Sequence, residues 1–135
     1  MTFASPRVTP NERLGHALRV KIPKLAEAVV DEQYRRRPEL EARYGPGGRA
    51  HCVKDTVHNL RFLAESVAFG QPRIFCDYVE WALRVMTHYG VAAEDVAENL
   101  RLLAGTLERH LPGDVAGVAR EHVEAALARL NAATG

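Results

Sequence analysis

Apolar residues recur every three or four positions along most of the chain, which is the spacing of residues on one face of an α-helix. The periodic segments are 10–22, 23–37, 38–44, 49–69, 73–89, 94–110 and 115–132. No segment shows the alternation of β-branched and polar residues that is typical of a strand. The pattern therefore predicts an all-α protein of six to seven helices.

Glycine and proline separate these segments and suggest how the helices begin and end. Thr9 is placed to cap the first helix, with Pro10 at the first helical position. Pro23 is expected either to kink or to restart the helix in which it lies. Gly90 suits the left-handed conformation that follows the end of many helices.

Length, charge and cysteine usage limit the classes of protein to consider. We expect one domain at 11–135 after a flexible N-terminal tail at 1–10, since 135 residues suffice for a buried core. The formal charge of +1 argues against nucleic-acid binding through a basic surface. No apolar run approaches the roughly 18 residues of a membrane span, so no membrane association is expected. Cys52 and Cys76 suit free thiols, and with no signal peptide apparent we expect a cytoplasmic protein.

The segment 49–69 has an unusual distribution of side chains on a helical wheel. One face is apolar and is predicted to pack against other helices; it comprises Val53, Val57, Leu60, Leu63, Ala64, Val67 and Ala68. The other side is polar and aromatic, with Cys52 at its edge, and carries His51, Asp55, His58, Asn59 and Phe62. An ordinary solvent face would be rich in Lys, Glu and Arg, so this composition favours a flat, partly polar ligand.

The same segment carries a recognisable motif, C-x-K-D-x-x-H-x-L-R, formed by Cys52, Lys54, Asp55, His58, Leu60 and Arg61. It resembles the chromophore helix of phycobiliproteins, in which C-x-R-D-x-x-Y-x-L-R is typical. The flanking residues are similar as well: Tyr44, Gly45 and Arg49 precede Cys52, Phe69-Gly70 follows, and the next helix ends in Gly90-Val91. The resemblance covers residues 34–111 and implies a globin-like (phycobiliprotein-like) helical fold. It looks closest to the short bacterial globins associated with bilin biosynthesis.

That resemblance implies a linear tetrapyrrole as ligand, a bilin such as biliverdin or phycocyanobilin. Asp55 can supply a carboxylate that accepts hydrogen bonds from the pyrrole N–H groups. Cys52 is expected beside the A-ring, joined to it by a thioether or in non-covalent contact. The remaining candidates are Lys54, Arg49 and Arg61 for the propionates, His51 and His58 as donors to carbonyls or propionates, and Phe62, Phe75, Tyr78 and Trp81 as walls.

The sequence departs from the antenna proteins of that family in three places. Lys54 stands where Arg is typical and offers a point charge instead of a planar fork. His58 stands where Tyr is typical. The 51 residues before Cys52 leave little room for the N-terminal helical hairpin through which antenna subunits pair, so no light-harvesting assembly is predicted.

The role implied by the resemblance is to carry, sequester or present bilin in a bilin biosynthesis pathway. The expected partners are a bilin reductase or a haem oxygenase, together with a second copy of the chain as a homodimer. The sequence contains neither a nucleophile–base–orienter set nor a phosphate-binding loop, which argues against an enzyme.

Three other hypotheses are compatible with the residues. His58 and His88 lie 30 residues apart on successive helices and could face a haem. His51, Asp55, His58 and Glu65 follow one another at helical spacing and could hold a metal ion. A ligand-free helical sensor or interaction module is the third alternative.

Overall fold

The computed structural model describes residues 7–134, and the side chains among them as far as Ala132. These residues form seven α-helices and no strand: α1 Pro10–Arg19, α2 Ile22–Arg36, α3 Leu40–Tyr44, α4 Gly48–Phe69, α5 Pro72–His88, α6 Ala93–His110 and α7 Gly113–Thr134. The all-α prediction and its count of six to seven helices are confirmed. The predicted tail falls largely on residues 1–6, which lie outside the described residues.

The first two helices begin as the sequence predicts. Thr9 accepts a hydrogen bond on its side-chain oxygen from the backbone N–H of Glu12, at 3.0 Å, which satisfies one of the free donors of the first turn of α1. Pro23 lies in the first turn of a new helix and does not kink a continuous one, because α1 ends at Arg19 and α2 begins at Ile22.

Helix α4 lies at the centre of the packing. It contacts α1, α2, α3, α5 and α7, while α6 packs against α2 and α7. Helices α1 and α4 approach each other closely at Gly15, where an added Cβ would lie only 2.8 Å from the backbone oxygen of Ala64 and from the Cβ of Ala68. The absence of a side chain at Gly15 is therefore what allows these two helices to touch.

The predicted apolar face of α4 is confirmed. Its second half is fully buried in the main core at Leu60, Leu63, Ala64 and Val67. Asn59, which the helical wheel placed on the polar side, is buried as well. Helix α5 covers that flank of α4, and the Tyr78 hydroxyl donates to Asn59 Oδ1 at 2.7 Å.

A second, smaller apolar cluster holds the start of α4 against α2 and α3. It consists of Val30, Tyr34 and Leu40, with Tyr44 and Cys52 packed against it. Gly48 permits this arrangement, because an added Cβ would lie 2.5 Å from the Cβ of Tyr44. Among the described residues, no helix has both the length and the apolar character needed to cross a membrane.

Candidate functional site

A cleft of about 960 Å³ opens beside the first half of α4. Its other walls are the end of α2, the short helix α3, the end of α5 and the beginning of α6. The volume lies within the range of roughly 300–1,000 Å³ that is usual for small-molecule sites. The cleft is large enough for an elongated organic ligand.

The α4 wall of the cleft contains four of the eleven residues predicted from the sequence. His51, Cys52, Lys54 and Asp55 all line it. Their spacing places them along the first turns of one helix, which begins at Gly48 after the glycine-rich loop. Cys52, Lys54 and Asp55 belong to the motif, and His51 directly precedes it, so the start of the motif and the cavity coincide.

Asp55 is half-buried at the cleft and forms no hydrogen bond or ion pair with any described residue. Burial raises the pKa of its carboxyl, against the opposing effects of His51, His58 and Lys54 nearby. A partly desolvated carboxylate without a partner gains more than a solvated one from a donor that a ligand brings. Asp55 is thus suited to bind N–H groups.

Cys52 is half-buried, and its environment keeps the thiol protonated. Burial is the main cause that raises the pKa of Cys52 to about 11, and a contact with Thr56 lowers it only in part. The sulfur lies 3.9 Å from Gln33 Oε1 and 3.9 Å from Asn99 Nδ2. Because the thiolate is the reactive form, Cys52 is a weak nucleophile at neutral pH.

The deep end of the cleft contains a network of uncharged polar side chains from three helices. Asn99 of α6 donates through Nδ2 to Gln33 Oε1 of α2 at 3.0 Å and to Thr56 Oγ1 of α4 at 3.2 Å. Thr56 in turn donates to the backbone oxygen of Cys52 at 2.7 Å. This network fixes the positions of α2, α4 and α6 where they meet at the cleft.

A second network ties the start of α6 to α3 and to the segment before it. The Asp95 carboxylate is nearly fully buried and accepts from Arg37 at 2.5 Å, from Arg43 at 2.9 Å and from the Tyr44 hydroxyl at 2.5 Å. Burial alone would raise the pKa of Asp95, but these hydrogen bonds together lower it below its ordinary value. The two arginines therefore neutralise a buried acid at the edge of the cleft.

The arginine run at the end of α2, Arg35–Arg37, is used within the protein. Arg35 and Arg36 form ion pairs with Glu32 on the surface of α2. Arg37 belongs to the Asp95 network. None of the three lines the cleft.

Three further predicted cationic or imidazole residues lie outside the cavity lining. Arg49 forms an ion pair with Asp31, and its guanidinium lies 5.7 Å from the centre of the Tyr34 ring. His58 and Arg61 are exposed on α4. Arg49 is nevertheless beside the cleft, since Tyr34 lines it.

The predicted aromatic walls form a cluster of their own. Phe62 and Tyr78 stack with 4.1 Å between ring centres, and Trp81 lies 6.1 Å from Tyr78. Phe75 is fully buried in the main core. None of the four lines the cleft, and Tyr78 reaches it only through Asn59. Their contact with a ligand stays a prediction.

Other residues form the walls that the sequence did not reveal. An apolar wall comes from Val85 and Met86 at the end of α5 and from Tyr89 and Val91 just after it, and Tyr34 and Tyr44 add two more rings. Only one signal was present in the sequence: Gln33 and Asn99 interrupt the apolar stripes of α2 and α6. A polar residue at a buried position needs a partner, and here the two are partners of each other.

The arrangement around the histidines bears on the haem and metal hypotheses. His58 and His88 are both exposed and lie outside the cleft, where His51 is the one histidine among the described lining residues. No three His, Cys, Asp or Glu side chains within the described part of the chain come together as a metal-binding group.

Comparisons of the chain with family models, with curated proteins and with solved structures found no match.

Proposed function

We propose that this protein is a globin-like bilin-binding protein that holds a linear tetrapyrrole in the cleft beside α4. The half-buried, unpartnered carboxylate of Asp55 at the cleft is the observation that carries the proposal. A bilin is long and flat, and its pyrrole N–H groups converge on one side. It matches both the cleft volume and an acceptor on one wall.

The pairing of the helices supports the globin-like part of the proposal. In an up-down bundle, consecutive helices are the main neighbours. Here α1 and α2 both pack on α4, α2 also packs on α6, and α5 packs on α7. Such pairing of helices distant in sequence is expected of a globin-like stack around a ligand site.

Two cationic side chains at or beside the cleft can supply charge for the propionates. Lys54 lines the cleft and forms no ion pair with a described residue. Arg49 is paired with Asp31, but both side chains are largely exposed. A surface ion pair contributes only about 0–1 kcal/mol, so Arg49 can exchange Asp31 for a propionate at little cost.

Binding is non-covalent in the first instance. Cys52 lies on the cleft, as the attachment hypothesis requires, but its raised pKa leaves little thiolate to attack an A-ring substituent. A thioether would form only if the bilin or a partner protein first increased the reactivity of the thiol.

The role that follows is to carry or sequester bilin and to present it to a bilin reductase or haem oxygenase. This part of the proposal rests on the resemblance of the motif around Cys52 and Asp55. The haem alternative has less support, because neither His58 nor His88 lines the cleft.

A titration of the purified protein with biliverdin, followed by absorption, tests the proposal. We expect a red-shifted, saturable spectrum. Asp55→Asn should weaken binding about 10- to 100-fold, the usual range for the loss of hydrogen bonds to a charged group. Glu65→Gln is the matched control, because Glu65 is an exposed acid on the same helix, paired only with Arg19, and lies outside the cleft.

Equal affinity in the wild-type protein and Asp55→Asn would contradict the role of Asp55. A protein that leaves the biliverdin spectrum unchanged would overturn the proposal, and a parallel titration with haem would then test the alternative.

A further inference from the structure

Two large aromatic side chains are exposed on the face of the molecule that α4 and α5 form together. Phe62 of α4 is 43% exposed and Trp81 of α5 is 54% exposed. Between them lies the buried Tyr78, whose ring centre is 4.1 Å from that of Phe62 and 6.1 Å from that of Trp81. These three residues form one cluster, the aromatic patch, and its two outer rings reach solvent. Exposed aromatic side chains on a rigid support are typical of surfaces that bind other proteins.

The charge left free around the aromatic patch is positive. Three acidic residues lie within one helical turn of an exposed ring, and each is held in an ion pair. The pairs are Glu65 with Arg19, Asp77 with Arg129 and Glu80 with Arg129. Arg61 directly precedes Phe62, and Arg84 lies one turn after Trp81. Both arginines are exposed, and neither forms an ion pair with a described residue, so they are free to bind carboxylates from outside.

The aromatic patch adjoins the cleft along both helices. Phe62 lies two turns after Asp55 on α4, which is about 10 Å along the helix axis. Trp81 lies one turn before Val85 on α5. Asp55 and Val85 both line the cleft. A protein bound at the aromatic patch would therefore lie beside the cleft.

We propose that the aromatic patch, together with Arg61 and Arg84, binds an acidic segment of another protein. An apolar side chain of that segment would pack on the exposed rings, and its carboxylates would meet the two arginines. Trp, Tyr and Arg are the residues that most often dominate the binding energy of protein interfaces, and arginine binds carboxylates bidentately. The docking surface goes beyond the proposed function, and only its use in passing bilin to or from a pathway enzyme rests on that function.

Three other occupants suit the aromatic patch less well. In a twofold dimer each surface faces its own copy, so free arginines of the same sign would approach one another. A bilayer contact requires a broad apolar face with several cations. Nucleic acids require a longer series of cations than Arg61 and Arg84 supply.

Trp81 is the single tryptophan of the chain, so its fluorescence reports directly on the aromatic patch. The probe is the consensus peptide selected on the full chain from a phage-displayed library of random dodecapeptides without tryptophan. We expect Asp and Glu around an apolar residue in this peptide. Its binding should shift the Trp81 emission to shorter wavelength and protect the ring from quenching by acrylamide.

Charge reversal at one arginine gives the matched pair of variants. Arg84→Glu should weaken binding of the peptide about 10-fold or more, because it places like charges opposite each other. Arg101→Glu is the control and should bind the peptide as the wild type does. Arg101 is likewise exposed and forms no ion pair with a described residue, but it lies on α6, away from the aromatic patch.

A selection that enriches no acidic peptide, or equal affinity of the peptide for the wild-type protein and Arg84→Glu, would overturn the inference. The same emission shift without the peptide would overturn it too. A shift with rising concentration of the chain, with anionic phospholipid vesicles or with oligothymidylate would assign the aromatic patch to a second copy, a membrane or a nucleic acid.

Titration with biliverdin separates this inference from the proposed function. Arg84→Glu should bind biliverdin with the affinity of the wild-type protein, and a variant that lost both biliverdin and the peptide would overturn the separate docking surface. A wild-type protein that binds the peptide but not biliverdin would retain the docking surface and lose the proposed function.

Discussion

Burial raises the pKa of both Cys52 and Asp55, but the consequences for the two residues differ. The two residues lie one turn apart on α4 and line one cleft. Burial raises both pKa values, which keeps the Cys52 thiol protonated and unreactive while it leaves the Asp55 carboxylate in need of donors. One environment therefore disfavours covalent attachment and favours non-covalent recognition of N–H groups.

The reactivity of Cys52 can be measured directly. In a Cys76→Ala background, the rate of alkylation by iodoacetamide should rise with pH towards a pKa of about 11, against an ordinary value of 9.0. At neutral pH this shift makes the thiolate about 100-fold rarer than in an unperturbed cysteine. The urea-unfolded protein is the control, and a folded-state pKa as low as that of the unfolded chain would contradict the burial of the thiol.

Asp95 is the residue whose charge matters most for stability near the cleft. Its pKa is lowered in the folded protein, so its contribution is present at neutral pH and is lost as the pH falls through the folded-state pKa. Asp95→Asn should reduce the free energy of unfolding at pH 7 by about 1–3 kcal/mol, because it weakens the hydrogen bonds from Arg37, Arg43 and Tyr44.

The difference between the wild-type protein and Asp95→Asn should shrink as the pH falls below about 4. Urea unfolding at several pH values measures it. A difference that stayed constant down to pH 2 would show that the charge of Asp95 is not its cause.

At the scale of elements, a single glycine controls how α1 lies on α4. Gly15→Ala would place a Cβ 2.8 Å from the Ala64 oxygen and the Ala68 Cβ. We expect a loss of about 1–3 kcal/mol in the free energy of unfolding despite the higher helix propensity of alanine. Gly117→Ala is the control: it lies in α7 with open space around it, and should stabilise by about 0.5–1 kcal/mol.

If the two glycine variants changed the midpoint of urea unfolding alike, the close crossing of α1 and α4 would be contradicted. Helix propensity alone would then account for both.

A buried Ser–His pair links α4 to α7 and should make their packing sensitive to pH. His122 Nδ1 lies 2.7 Å from Ser66 Oγ, and burial lowers the pKa of His122 below its ordinary 6.5. The unfolded chain therefore binds a proton more readily, so this contribution is complete above about pH 6.5 and is lost as the pH falls. The free energy of unfolding between pH 5 and 8 should depend less on pH in His122→Gln than in the wild-type protein, and an unchanged slope would contradict this assignment.

The elements were largely predictable because helix signals are local. The cap at Thr9, the restart at Pro23 and the apolar face of α4 all depend on residues a few positions apart. The same holds for the four predicted residues that line the cleft, which share one helix. The opposite wall was not predictable, because Gln33, Met86 and Asn99 come together only through tertiary packing.

The aromatic residues illustrate the same limit. Phe62 and Tyr78 are predicted to line a ligand, but nothing in the sequence indicates that they stack on each other. The way in which α4 and α5 cross decides which flank of each helix faces a ligand and which faces the other helix. Residues close together in the sequence do not determine this crossing.

At the scale of the whole molecule, the cleft exists because neighbouring helices enclose the second half of α4 more completely than its first half. Its second half is enclosed in the main core, while its first half packs on the smaller cluster from α2 and α3 and is bonded to α6 through Thr56 and Asn99. The polar networks of Gln33–Asn99 and of Asp95 keep those elements in place without filling the space between them. A ligand that fills the cleft should bridge α4, α5 and α6, and so raise the stability of the whole chain by mass action.

The central claim is that Asp55 binds the pyrrole N–H groups of a bilin in this cleft. The most direct test is the absorption spectrum of the protein with biliverdin, recorded from pH 6 to 10 for the wild type and for Asp55→Asn. A nearby carboxylate favours the protonated chromophore, so the red-shifted band should persist to higher pH in the wild type than in the variant. A spectrum identical to that of free biliverdin at every pH, or an identical pH dependence in both proteins, would contradict the claim.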